Sequence, residues 1–216
     1  MKRLATAAVA ALALATTGPA FAHDGAEHAA APAAAATPAV AATRAALRDL
    51  WVGHVFWVRN VVDARFAGNA ARAGAAEKEV VANAKAIAGA IEPFYGKPAS
   101  DQLFKLLAGH WQAISAYLDG ARAGDTAATD AAMAKLLGNA DVLAKFLSGA
   151  NPNLPYDAVH GLLAAHGSHH VQQISEFKNG QWEAEARTWA AMKDHMYVIA
   201  DALADAIAKQ FPDKFR

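Results

Sequence analysis

Apolar residues recur along the chain at alternating steps of three and four, which is the spacing of one face of an α-helix. A histidine interrupts the first of these stripes, and histidines stand at the same place in two later stripes, at intervals of 56 residues. The three stripes are Leu47, Trp51, His54, Val58 and Val61; Leu103, Leu107, His110, Ile114 and Tyr117; and Val159, Leu163, His166, His170 and Ile174. The pattern predicts three helices that each carry an imidazole on the buried face.

A return helix is predicted after each of these helices, again with one polar residue inside an apolar stripe. Those polar residues are Asn83, Asn139 and His195, and a glycine lies midway in each hairpin, at Gly68, Gly124 and Gly180. Glycine is the usual residue at a helix end, so the turns are placed there. Both polar residues of a hairpin then lie about 14 residues, or roughly 20 Å, from the turn. We therefore expect them to face each other near mid-helix.

The predicted fold is all-α, because no segment alternates at period two and the many alanines favour helix. Three αα-hairpin repeats of 56 residues span about 44–98, 99–154 and 155–211. They could close into a six-helix bundle or stack as a short α-solenoid. We favour the closed bundle, because there are only three repeats and none resembles a capping repeat.

The amino-terminal segment has the composition of an export signal. Residues 1–22 contain Lys2 and Arg3, an apolar run, and Ala20-Phe21-Ala22, which is the order of a secretory signal peptide with its cleavage site. We expect cleavage near Ala22 and a periplasmic or secreted protein. Residues 23–42 are rich in alanine and proline and are predicted to be a flexible linker. Residues 43–216 form the predicted helical domain.

Composition narrows the range of partners. The chain has no cysteine, so the exported domain has to be stabilised by its core alone. Loss of Lys2 and Arg3 with the signal peptide leaves 18 basic and 20 acidic side chains of the original 20 and 20. That balance does not favour nucleic acid as a partner. No segment after the signal is apolar over a length that spans a membrane.

Three segments carry a resemblance to known proteins: LWVGHVFWVRNVV at 50–62, NADVLAKFLSGANPNLP at 139–155 and HMYVIADALADAIAKQFPDKF at 195–215. They resemble a family of small bacterial helical proteins with repeated L-x-x-H and N-A-D segments. The resemblance covers residues 47–215. It implies an all-helical bundle and carries over no catalytic residue.

The interior histidines are the candidate functional residues. If the hairpins close around an axis, His54, His110 and His166 meet there and offer neutral nitrogen ligands to zinc, copper or iron. Asn83 and Asn139 would then orient the rings. His170 and His195 are additional candidate ligands, because the third repeat has them where the others have apolar residues and asparagine. A shared ion requires ring nitrogens within roughly 3–4 Å of one another.

Two other interpretations stay open. The histidines and asparagines could pair by hydrogen bonds that set the helix register in a metal-free structural or interaction protein. A pocket walled by Trp51, Trp57 and Tyr117 could bind a small ligand. Catalytic motifs are not found in the sequence, so we expect a binding or structural protein rather than an enzyme. Arg59 is expected on the solvated surface or paired with Asp63.

Overall fold

The structure is a computed structural model that describes residues 36–216. The predicted signal peptide and residues 23–35 of the predicted linker lie outside the described residues. The described part consists of helices and contains no strand: α1 (Pro38–Phe66), α2 (Ala70–Ala90), α3 (Glu92–Tyr95), α4 (Lys97–Ala123), α5 (Thr126–Ala150), α6 (Tyr156–Lys178), α7 (Trp182–Gln210) and a final 3₁₀ turn (Pro212–Phe215). None of these helices is both long enough and apolar enough to cross a membrane.

The six long helices form a closed bundle. Each packs against its neighbour in the order α1, α2, α4, α5, α6 and α7, and α7 packs back against α1. Contacts of α6 with α1 and with α4 fill the centre. Because the last hairpin meets the first, the structure confirms the all-α bundle and not the solenoid. The direction of the chain alternates around the ring, so α1, α4 and α6 run parallel.

Glycine ends the first helix of every hairpin. Gly68, Gly124 and Gly180 have positive φ values of 69°, 71° and 64°, in the left-handed region that side chains other than glycine disfavour. The return helix is capped in two hairpins by a side chain, since Asn69 Oδ1 accepts from Arg72 N and Asp125 Oδ1 from Ala128 N. The turns therefore lie where the glycine spacing predicted them.

Helix α1 begins earlier than the sequence suggested. Its first residue is Pro38, and Thr37 is the N-cap, with its hydroxyl accepting from Val40 N at 3.3 Å. Proline is favoured in the first turn because it needs no hydrogen bond from its nitrogen. Thr43 lies inside the helix, where its hydroxyl donates to Ala39 O. Residues 38–42, predicted as linker, are thus helical.

Two apolar clusters fill the interior, one on each side of the histidines. The first contains residues that precede the histidines on α1, α4 and α6, such as Leu47, Leu107 and Leu163. The second contains residues that follow them, such as Ile114 and Ile174. The histidines therefore form a polar layer inside an apolar core, at about the same depth in the three parallel helices.

Ion pairs join α1 to α7 along the seam that closes the bundle. Arg44 pairs with Asp205 and Arg48 with Asp201 on the surface. Arg59 makes two bonds of 2.6 Å to Glu185, so its partner is Glu185 and not Asp63, while 38% of its side chain is exposed, in agreement with the expected surface position. The Glu185 side chain is only 3% exposed and also accepts from Gln173 Nε2 at 2.8 Å. A buried carboxylate thus depends on Arg59 for its charge balance.

Substitution of Arg59 by leucine should destabilise the protein strongly. The variant leaves the Glu185 carboxylate buried without its cation, which costs about 3 kcal/mol in the free energy of unfolding. Arg48→Leu on the same helix is the control, and because its pair is exposed we expect a loss of about 1 kcal/mol or less. Urea unfolding measures both variants, and equal losses would contradict this assignment.

Candidate metal centre

Four histidines meet at the centre of the bundle. His54 comes from α1, His110 from α4, and His166 and His170 from α6. Their exposed fractions are 5%, 7%, 2% and 1%. One ring nitrogen from each lies within 4.8 Å of the corresponding nitrogen of the other three. This is wider than the 3–4 Å expected of a shared ion, but it remains a single cluster.

The cluster has dimensions close to those of a metal site with four nitrogen ligands. The His166 and His170 Nε2 atoms are 3.2 Å apart, and the ring centroids of all six pairs are 4.5–6.0 Å apart. Tetrahedral zinc with Zn–N bonds of about 2.0–2.1 Å places its ligand nitrogens roughly 3.3 Å from one another. The two histidines of α6 already have that separation. To reach that geometry, the other nitrogen–nitrogen separations, which are at most 4.8 Å, would shorten by up to about 1.5 Å.

His170 joins the cluster because it follows His166 by four residues on the same helix. Residues at that spacing lie one above the other on one face. Val58 and Ile114 hold the corresponding positions in α1 and α4 and are also buried. The third hairpin therefore adds a fourth imidazole where the other two place an aliphatic side chain.

The imidazoles have few hydrogen-bond partners in the protein. Among the described residues, His110 Nε2 and His166 Nδ1 are buried and have no partner. The 3.2 Å contact between His166 and His170 can satisfy one donor and one acceptor. Each buried nitrogen that is left unpaired costs about 1–3 kcal/mol. The burial of these unpaired nitrogens therefore lowers the stability of the folded state.

Burial keeps the four rings neutral. Desolvation lowers the pKa of His54 to about 3, with a further decrease from the charge of His110. Desolvation also lowers the pKa of His110 to about 4, against a smaller opposing effect of Asn139. The pKa values of His166 and His170 lie well below the ordinary value for the same reason and because the other rings are close. Neutral rings have free lone pairs, as metal ligation requires.

The polar residues of the return helices bind main-chain oxygen rather than forming the expected pairs with the histidines. Asn83 Nδ2 donates to Leu50 O at 2.9 Å, and Asn139 Nδ2 donates to Leu106 O at 3.0 Å. His195 Nε2 lies 2.9 Å from Leu162 O and must be the donor, because a carbonyl only accepts. Each acceptor lies four residues before a cluster histidine. These bonds therefore fasten the helical turn that carries the histidine.

His195 lies outside the four-histidine cluster. Its ring makes an edge contact with His169, with ring centroids 5.4 Å apart, and its Nε2 is occupied by the Leu162 carbonyl. It is the counterpart of Asn83 and Asn139 and not a neighbour of His54. Of the five histidines predicted as ligands, the structure brings four together, and the fifth, His195, lies outside that cluster.

Glycines before two of the histidines make room for the asparagines. A Cβ atom at Gly53 would lie 3.1 Å from Asn83 Nδ2, and one at Gly109 would lie 3.3 Å from Asn139 Nδ2. Such contacts are tighter than ordinary van der Waals distances. The glycine thus allows the amide to reach the carbonyl of the preceding turn.

On one side of the histidine layer is an apolar cavity of about 40 Å³. His54, His110 and His166 line it, and leucine and isoleucine form most of the remaining wall. Trp51 belongs to the wall, as the proposed ligand pocket required, but Trp57 and Tyr117 do not, because they pack against the second apolar cluster. The other side of the layer is more polar.

The side of the histidine layer opposite the cavity contains a network of polar residues that the sequence analysis did not predict. Gln173 is fully buried and bonds to Glu185, and Glu176 accepts from Thr188 Oγ1 at 2.9 Å. Gln173 follows His166 by seven residues, so its place on the buried face could have been read from helical periodicity. Glu185 could not, because its partner Arg59 belongs to another helix.

The chain was compared with models of protein families, with curated proteins and with solved structures, and none matches it. The resemblance to a family of helical proteins with L-x-x-H segments therefore stays a prediction. Any functional argument depends on the site itself.

Lowering the pH should destabilise the metal-free protein. The folded pKa of His54 is about 3, below its value of about 6.5 in an unfolded chain, so protons bind first to the unfolded state. The contribution of each such histidine to stability is constant above pH ~6.5 and falls below it, by up to about 1.4 kcal/mol per pH unit. Urea unfolding at several pH values measures the slope. His54→Leu should flatten it, and an unchanged slope would contradict the lowered pKa.

Replacement of Gly53 by alanine tests the bond between Asn83 and Leu50. The added Cβ crowds Asn83 Nδ2, so we expect loss of about 1 kcal/mol in the free energy of unfolding. Gly138→Ala is the control, because nothing lies within 4 Å of a Cβ there, and a helical glycine changed to alanine gains about 0.5–1 kcal/mol. An equal gain in both variants would show that Asn83 does not constrain this turn.

Proposed function

We propose that the protein binds one transition-metal ion through His54, His110, His166 and His170. The observation that carries the proposal is a set of four neutral, buried imidazoles whose ring nitrogens face one another within 4.8 Å. A further observation supports it: His110 Nε2 is buried and has no partner among the described residues. A metal ion would replace that missing hydrogen bond with a coordinate bond.

The donor set favours some metals over others. Four imidazole nitrogens suit zinc, copper and iron, whereas magnesium and calcium prefer oxygen ligands. No carboxylate belongs to the set among the described residues. The ion's charge would therefore stay uncompensated within the layer, which favours the lower charge of copper(I) or a divalent ion that keeps another ligand. Export, proposed from residues 1–22, would place the protein where metals are scavenged or delivered.

The competing proposal is a metal-free structural protein whose polar pairs set the helix register. The bonds from Asn83, Asn139 and His195 to main-chain carbonyls favour such a role for those three residues. They do not explain the four clustered histidines, since leucine would pack in their place without polar nitrogens to satisfy. The return-helix residues position the site, and the histidines are the ligands.

Metal analysis of protein purified without a histidine tag tests the proposal. Zinc, copper and iron(II) are each added to metal-free protein, and bound metal and melting temperature are measured after desalting. We expect one ion per chain and a higher melting temperature, because a ligand that binds only the folded state stabilises it. His110→Ala should weaken binding by at least about tenfold, or ~1.4 kcal/mol.

His160→Ala is the matched control, because it removes a histidine that lies outside the cluster and stacks on Tyr156. Its metal binding should equal that of the wild type. No bound metal and no rise in melting temperature with any of the three ions would overturn the proposal. The structural alternative instead predicts that His54→Ala loses the same stability with and without a chelator.

A further inference from the structure

The asparagines of the first two return helices use only the donor end of their amides. Asn83 and Asn139 each donate from Nδ2 to a main-chain carbonyl. Because a carbonyl only accepts, this bond fixes which end of each amide is nitrogen and which is oxygen. Both Oδ1 atoms are buried and have no hydrogen-bond partner among the described residues. A buried acceptor without a donor destabilises the folded state, so these two oxygens require an explanation that the main-chain bonds do not give.

The amide of Asn139 lies beside the ring of His110. Its Nδ2 is bonded to Leu106 O and would be 3.3 Å from a Cβ atom at Gly109, so the amide lies against the main chain of α4. Desolvation lowers the pKa of His110, and Asn139 opposes it as a hydrogen-bond acceptor. Nδ1 is the ring nitrogen nearer to the main chain. The oxygen of Asn139 is therefore placed to accept from His110 Nδ1–H.

His195 offers the third hairpin the same pair of groups as an asparagine. Its Nε2 donates to Leu162 O, and a neutral imidazole has one donor and one acceptor, so its Nδ1 is an acceptor. His166 Nδ1 is buried and has no partner in the described part of the chain. Desolvation and the other rings of the cluster lower the pKa of His166, and the charge of His195 adds to that effect. A nitrogen that lacks a partner and a free acceptor thus belong to one hairpin.

The opposite nitrogens of the ligand rings lie toward the centre of the cluster. His166 Nε2 and His170 Nε2 are 3.2 Å apart, and His110 Nε2 is buried without a partner in residues 36–216. A nitrogen that binds a metal cannot also hold a proton, so coordination through Nε2 leaves the proton of a neutral ring on Nδ1. Metal binding would therefore supply the donors that the two asparagine oxygens lack.

We propose that His54, His110 and His166 bind the metal through Nε2 and donate Nδ1–H to their own return helix. The acceptors are, in that order, Asn83 Oδ1, Asn139 Oδ1 and His195 Nδ1. The inference rests on the proposed metal site. Each acceptor side chain would hold the helical turn with its N–H and the ligand ring with its other end. Such bonds orient the ring and make it a stronger ligand. His195, expected as a ligand, is thereby a positioning residue.

Nitrogen NMR of the zinc-loaded protein tests which ring nitrogen binds the ion. The protein is labelled with ¹⁵N, and zinc is used because it is diamagnetic. Ring nitrogens that bind zinc, hold a proton or have a free lone pair differ in chemical shift. We expect Nε2 coordinated and Nδ1 protonated in His54, His110 and His166. Coordination through Nδ1 in any of the three would contradict the inference.

Asn139→Leu removes the proposed acceptor of His110. We expect its zinc affinity, measured by competition with a chelator, to fall by roughly 10–100-fold. Asn139→His supplies one donor and one acceptor, as His195 does, and should retain most of the wild-type affinity. His195→Asn should do so as well. If these side chains only held the helical turns, folded Asn139→Leu would bind zinc as tightly as the wild type.

Asn60→Leu is the matched control. Asn60 Nδ2 also donates to a main-chain carbonyl, that of Phe56, at 2.8 Å, but the residue lies outside the histidine cluster, so its zinc affinity should be unchanged. Zinc bound through Nδ1, or equal affinities of wild type and Asn139→Leu, would overturn this inference and leave the metal site intact. Failure of the wild type to bind zinc, copper or iron(II) would instead overturn the metal site and this inference with it.

Discussion

Desolvation of four imidazoles in one layer is the constraint on which the rest of the structure depends. A bundle of this size could have a purely apolar centre, and the clusters above and below the layer show that it nearly does. The histidines remain neutral because burial disfavours their charged form. The four rings meet only if α1, α4 and α6 place their histidines at the same height along the bundle axis. The hairpin glycines and the bonds from Asn83, Asn139 and His195 to the preceding turns fix that height.

Much of this arrangement follows from the sequence, because helical periodicity and the glycine spacing determine which residues share a depth. They predicted that His54, His110 and His166 lie inside, and the spacing of four residues put His170 on the same face. The partners of Asn83 and Asn139 could not be predicted, since the acceptor is a main-chain carbonyl that leaves no mark in a pattern of side chains. His195 was expected among the ligands because its bond to the Leu162 carbonyl could not be predicted either. In the structure it does what Asn83 and Asn139 do in the other hairpins. The pair of Arg59 and Glu185 joins distant helices, and no local pattern indicates it.

The two sides of the histidine layer differ in chemistry. Toward the ends of the helices that carry the joints between hairpins, the wall is mostly leucine and isoleucine, with the ring of Trp51. Toward the hairpin glycines lie Gln173, Glu185 and Arg59, which form a hydrogen-bonded chain from the buried core to a half-exposed arginine. The third hairpin supplies most of this difference, since both His170 and Gln173 lie on α6.

The burial of the four histidines also has a kinetic consequence. None of them is more than 7% exposed, so an ion cannot exchange with solvent unless helices separate or the chain partly unfolds. Loading would then accompany folding, and release would be limited by opening events rather than by the strength of the coordinate bonds. Once enclosed, the ion would connect three hairpins of a chain that has no cysteine. It would stabilise the folded chain because it binds that state and not the unfolded one, and chelators would remove it only as fast as the bundle opens.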